Sequence, residues 1–217
     1  MQDLRSRPVM KACRHPMRLW QSILTAIAAL LGLPEHGLAQ ARSVPETMQI
    51  DDQPGYVANP DDERLPAPFQ RQMVFYRTTE APGTIIVHTS ERFLYVVQPN
   101  SRAIRYGIGV GRDGFRWSGL LKITRKGEWP DWTPPPEMIA RQPYLPRFMA
   151  GGPGNPLGAR ALYLGNTVYR IHGTNQPQTI GQSISSGCFR LVNGDVIDLY
   201  ERTPVGTKVI VRQIPET

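Results

Sequence analysis

Cysteine is almost absent from this chain. Two residues in 217, Cys13 and Cys188, cannot build a disulfide framework, and no Cys/His cluster has the spacing of a metal site. Histidine is nearly as scarce, at four residues. No glycine-rich loop follows the phosphate-binding pattern, so neither a metal nor a diffusible cofactor is expected. No apolar run reaches the roughly 20 residues that span a bilayer. No basic stripe interleaved with aromatics points to nucleic acid as a partner.

What is present begins with a charged and then apolar leader. Arg5, Arg7, Lys11, Arg14 and Arg18 precede "ILTAIAALLGL" (23–33), the order and length of a secretory signal. "LAQA" (38–41) offers small residues in the A-x-A pattern, so residues 1–41 are expected to be a signal peptide cleaved after Ala41, with export to the periplasm. A retained, membrane-tethered leader is the alternative. Cys13 precedes the apolar run, which argues against a lipoprotein. Cleavage would leave 176 residues, 20 basic and 16 acidic, hence 20 − 16 = +4 instead of the whole chain's +7. Cys188 would then stand alone in an oxidising compartment, either as a reactive thiol or as a buried, inert hydrophobe.

Residues 42–83 are polar and proline-rich and are expected as a flexible linker, with "MVFYRT" at its end able to add an edge strand. A single domain is expected over 84–212, followed by a short tail, 213–217. "TIIVHT", "RFLYVV" and "AIRYGIGV" are β-branched and aromatic runs that read as an antiparallel meander, continued by "GLLKITRK" and closed by "TKVIVR". "ARALYLGNTVYRIHG" predicts two strands around a two-residue turn at Gly165-Asn166. The stretch 127–158 is too rich in proline and glycine for regular structure and reads as a long lid loop. After Cys188, Asn193 as N-cap, an apolar face of Val196, Leu199 and Tyr200, and a stop at Pro204 and Gly206 predict one short helix. The fold class expected is mainly β, a sandwich or barrel-like mixed sheet with that one helix beside the cysteine.

A nucleophilic cysteine needs a base within hydrogen-bond reach. Beyond the leader the chain has two histidines. His88 lies inside an alternating strand and reads as structural. His172 ends a strand 16 positions before Cys188, with Gly173 permitting a close turn, and is the candidate base. An imidazolium beside Cys188 would hold it as a thiolate. Gly187 leaves the amides of Gly187 and Cys188 able to face a small cavity as oxyanion donors. Arg190, two places on, suits a substrate carboxylate or a structural ion pair. Trp129 and Trp132, with Tyr144 and Phe148, either wall the substrate groove or seal the core beneath the lid.

"IHGTN…IGQSISSGCFRLVNGDVIDLY" resembles the signature of the L,D-transpeptidases, the YkuD-type catalytic domain of bacterial cell-wall enzymes, over about 84–212. The resemblance implies a β-rich fold and a cysteine acyl-enzyme at Cys188 with His172 as base. Orientation is expected from Gly187, Ser186 and Gly173, and substrate contacts from Arg190, Ser185, Trp129 and Trp132. It implies peptidoglycan stem peptides as donors, an amine acceptor from a second stem or an envelope protein, and acylation by carbapenem-type inhibitors. Ser186 departs from the family pattern, which has histidine at that place. A serine can hydrogen-bond but carries no positive charge, which leaves His172 as the base. Water as acceptor would give a hydrolase on the same scaffold, and loss of catalysis a wall-binding module.

Overall fold

A computed structural model describes residues 54–59 and 63–213. The expected signal at 1–41, with Cys13, and most of the tail lie outside them. Eleven strands are described: β1 (Gln72–Phe75), β2 (Ile85–His88), β3 (Phe93–Gln98), β4 (Arg102–Gly107), β5 (Val110–Gly111), β6 (Gly119–Glu128), β7 (Arg160–Leu164), β8 (Arg170–His172), β9 (Ser183–Ser185), β10 (Phe189–Arg190) and β11 (Lys208–Arg212). Two α-helices join them, α1 (Pro136–Arg141) and α2 (Asn193–Arg202). The fold is mainly β.

Nine strands form one mixed sheet in the order β1-β4-β3-β2-β11-β6-β7-β8-β10. The meander β2-β3-β4 is antiparallel, while β11 runs parallel to β2 and β10 parallel to β8. Beyond β4 the chain returns to the far end of the sheet: Gly109 and Arg190 exchange both backbone hydrogen bonds at 2.9 Å. This closure is the barrel-like element of the fold. Both faces of the meander are covered, because alternate side chains point to opposite sides. Ile85, Val87, Leu94, Val96, Ile104 and Tyr106 enter the main core, whereas Ile86, Tyr95, Val97 and Ala103 form a smaller cluster behind it.

Helix α2 covers the core with Val196 and Leu199. Its Asp198 accepts the Tyr106 hydroxyl at 2.6 Å and pairs with Arg202 and Arg71. Asn193 is the first helical residue and not the N-cap; Val192 holds that place, with no side-chain cap. The Asn193 side chain spans outward instead: Oδ1 accepts from Ala159 N at 2.9 Å and Nδ2 donates to Glu63 at 3.0 Å. A tertiary bridge has displaced the local cap.

Three further expectations are corrected. The segment expected as a flexible linker lies against the domain over its described part. Gly55 N donates to Gly154 O, Asn175 donates to Tyr56 O, and Glu63 holds Asn193. The edge strand expected of "MVFYRT" is present, as β1 paired with β4. The lid contains a helix, α1, because its prolines fall at the first helical positions, where a missing N–H costs nothing. Its Met138 and Ile139 pack with Trp132, Leu145 and Leu157. The hairpin between β7 and β8 is longer than two residues: Leu164 N donates to Tyr169 O, and Gly165 N is drawn to Lys122 O on β6.

Candidate active site

The strand register assembles the site. On the parallel pair β8 and β10, Ile171 lies opposite Phe189 and His172 opposite Arg190. Ile171 and Phe189 both enter the core. By alternation Arg170 and His172 from one strand, and Cys188 and Arg190 from the other, project to the opposite side. All four line one pocket, together with Ser185, Ser186, Val168, Trp132, Leu157 and Met138. A 16-residue separation in sequence has become adjacency of neighbouring strands.

Cys188 is half-buried and takes part in no disulfide among the described residues. Its Sγ donates to the Val168 carbonyl at 3.7 Å. His172 is 4% exposed. Its Nδ1 lies 2.6 Å from the Gly173 carbonyl, an acceptor only, so Nδ1 carries the proton and Nε2 is left as the basic nitrogen. Burial and then the Arg190 guanidinium push the His172 pKa down to about 3, against the opposing pull of the Gly173 carbonyl. At neutral pH the imidazole is therefore uncharged. The expectation of a standing imidazolium is corrected: burial and the neighbouring Arg190 guanidinium favour the uncharged ring at rest.

Gly173 earns its place by close approach. A Cβ there would meet Asn193 Oδ1 at 2.5 Å and Ala159 N at 3.0 Å, and its own N–H donates to Arg160 O. The carbonyl that orients His172 is thus held by the surrounding backbone.

The turn carrying the nucleophile is organised by Ser185. Its hydroxyl donates to the Cys188 carbonyl at 2.6 Å and accepts the Gly187 N–H at 3.2 Å. The expectation that the Gly187 amide faces the cavity is corrected, since Ser185 Oγ occupies it. Ser186 lines the pocket and receives a long hydrogen bond, 3.4 Å, from Arg141 of α1. Arg190 is buried on the pocket wall.

Of the four lid aromatics, Trp132 lines the pocket while packing in the lid cluster at 4% exposure, so wall and seal are one residue. Trp129, Tyr144 and Phe148 are 42%, 48% and 59% exposed and stand outside the pocket. The positive φ of Trp129 and its backbone bond to Ala159 turn it away from the lid interior. His88 sits apart from the site, hydrogen-bonded to Tyr76 at 2.9 Å. Among the described residues no cluster of His, Cys, Asp and Glu could hold a metal.

Sequence reasoning passed over Arg170 and Trp117. Arg170 was legible by alternation, two positions before His172. Trp117 was not: its indole Nε1 donates to the Gly187 carbonyl at 2.9 Å across 70 positions, and its ring stacks on Tyr169 at 4.5 Å.

The family profile described as the L,D-transpeptidase catalytic domain (YkuD) matches residues 82–211. The probable L,D-transpeptidase ErfK/SrfK of Escherichia coli K12 is 39% identical over 138 residues, which is 60% of this chain and 44% of that protein. The chain spans about half the length of the curated relatives it matches. Among solved structures, the Ldtfm–avibactam carbamoyl enzyme shares the fold at 16% identity and a TM-score of 0.50, covering 63% of this chain and 51% of that one. A Brucella melitensis chain described as a probable carnitine operon oxidoreductase is 47% identical over 70% of this chain and 99% of its own. Its TM-score is 0.46.

Proposed function

The chain belongs to the L,D-transpeptidase catalytic-domain family, and from that premise we propose that it is an exported enzyme forming an acyl-enzyme on Cys188 with a peptidoglycan tetrapeptide stem. The observation that carries this is the β8/β10 register, which turns Cys188, His172, Arg170 and Arg190 toward one pocket. Export to the periplasm rests on the leader at 1–41.

In this reading Cys188 Sγ attacks the carbonyl joining the L-centre of the third stem residue to the terminal D-alanine, and its proton passes to Nε2 of neutral His172. The Cys188 backbone N–H meets the developing oxyanion. As the C–N bond breaks, the D-alanine nitrogen takes the proton from His172 and leaves as an amine. An acceptor amine then attacks the thioester and gives up its proton through His172, and the sulfur departs as the thiol. A second stem as acceptor yields a cross-link, an envelope protein an anchor. The buried Arg190 and the half-buried Arg170, both on the pocket wall, suit the carboxylates of a stem peptide.

The test is incubation of the protein with purified disaccharide-tetrapeptide, followed by mass spectrometry. An adduct on Cys188, released D-alanine and cross-linked dimers are expected, all lost in Cys188→Ala. Free tripeptide without dimers would make the enzyme a hydrolase. No adduct, with wall binding retained by Cys188→Ala, would make it a binding module.

A further inference from the structure

We propose that Trp117 is the positioning residue of the nucleophile turn: it holds the Gly187 carbonyl and thereby aims the Cys188 backbone N–H at the oxyanion. This rests on the acyl-transfer reading above and adds to it a residue 71 positions from the nucleophile.

Ser185 and Trp117 hold the two polar groups of Gly187 from opposite sides of the turn 185–188. Ser185 Oγ takes the Gly187 N–H at 3.2 Å and donates to the Cys188 carbonyl at 2.6 Å. The Trp117 indole takes the Gly187 carbonyl at 2.9 Å. The peptide between Gly187 and Cys188 is planar, with C=O and N–H pointing opposite ways. Holding the carbonyl toward Trp117 therefore directs the Cys188 N–H away from Trp117. One indole hydrogen bond sets the orientation of the whole peptide unit.

The indole is itself held firmly. It stacks on Tyr169 at 4.5 Å with 15° between the rings and leans on Phe189 at 5.6 Å. Both rings pack against the main core. Tyr169 immediately precedes Arg170 on the strand that carries His172, so the stack ties the base strand to the nucleophile turn. Tyr169 also bounds the turn from the side: a Cβ on Gly187 would lie 2.8 Å from its Cε1 and 3.1 Å from the Phe115 carbonyl. Gly187 at φ +104° is the conformation that this clamp requires.

Two reactions of the same sulfur separate aiming from mere stability. Acylation by a carbapenem passes through an oxyanion: sulfur bonds to the lactam carbonyl, the ring C–N bond opens, and the nitrogen takes the thiol proton through His172. Alkylation by iodoacetamide displaces iodide and forms no oxyanion. In the full chain, Trp117→Phe keeps an aromatic ring and removes the N–H donor. Expected is an acylation rate down about tenfold or more, short of the 10²–10³ that follows outright loss of a donor. Alkylation should stay within about twofold of the wild type on that same argument. Equal acylation by wild type and Trp117→Phe, or an equal loss in both reactions, overturns the assignment. Should Trp117→Phe not fold, the wild type decides: the Trp117 indole N–H resonance is expected to move when Cys188 is acylated by the carbapenem, and an unmoved resonance overturns the proposal. A wild type that alkylates but never acylates removes the acyl-transfer reading itself, an outcome distinct from either.

Discussion

Arg190 lies directly opposite His172 on adjacent parallel strands, so a buried cation stands beside the site's base. Burial is the larger cause of the depressed imidazole pKa, and Arg190 is the next. The arrangement keeps the ring neutral at rest.

Replacing Arg190 with Gln should raise the His172 pKa while leaving it below the ordinary histidine range, since burial persists. Titration of the His172 ring resonances by NMR checks this. The acid limb of the carbapenem acylation rate should move to higher pH in the same variant. An unmoved ring titration would remove the electrostatic link between the two residues.

The same depressed pKa makes stability pH-dependent. Unfolded histidine takes a proton near 6.5, whereas His172 in the fold resists it down to about 3. Between those values the unfolded chain binds more protons, so stability is full above about pH 6.5 and falls as the pH drops toward 3. Urea unfolding of wild type and His172→Gln between pH 4 and 7.5 isolates the effect. The wild type should show the steeper loss on acidification; parallel curves would contradict it.

Ser185→Ala leaves the Gly187 N–H and the Cys188 carbonyl without the hydroxyl they share. A cost of about 1–3 kcal/mol in unfolding free energy is expected. Acylation of Cys188 should slow as well, because the turn loses its internal brace. Thermal melting and acylation kinetics on one sample measure both.

Gly187→Ala meets two obstacles at once: a positive φ and the Tyr169 ring at 2.8 Å from the new Cβ. The backbone conformation alone costs about 1–3 kcal/mol. Tyr169→Ala in the same background should recover part of the steric loss and none of the conformational one, and a double-mutant cycle reads the split.

Asn193 discriminates a cap from a bridge. Were it a cap, Asn193→Asp would be well tolerated. As the bridge between Ala159 N and Glu63, the aspartate meets a second carboxylate, so Asn193→Asp should destabilise more than Asn193→Ala. Glu63→Gln should relieve Asn193→Asp. Chemical unfolding of the four proteins gives the comparison.

Much of the fold was legible where pattern is local. Runs such as "TIIVHT" and "RFLYVV" are rich in β-branched and aromatic residues, and they became β2 and β3 with both faces buried. The helix after the cysteine was visible in Val196 and Leu199. Three-residue and two-residue strands such as β9 and β10 were not, because they are too short to show alternation and exist only through their partners. Helix α1 hid among prolines that suit a helix start as well as a loop. Asn193 followed the rule for caps until a distant glutamate and a backbone amide claimed its side chain.

Sequence by itself determined which atoms are available: a thiol and an imidazole with no rivals outside the leader except His88, a glycine before the sulfur, and strands of evident pattern on either side. Tertiary structure decided their states. The parallel register of β8 and β10 set the base beside a cation, and burial stripped it of its charge. An indole 70 positions from Gly187 settled which way a single peptide plane points. Proximity and solvent exclusion arise between segments far apart in the chain, so no local pattern of residues encodes them.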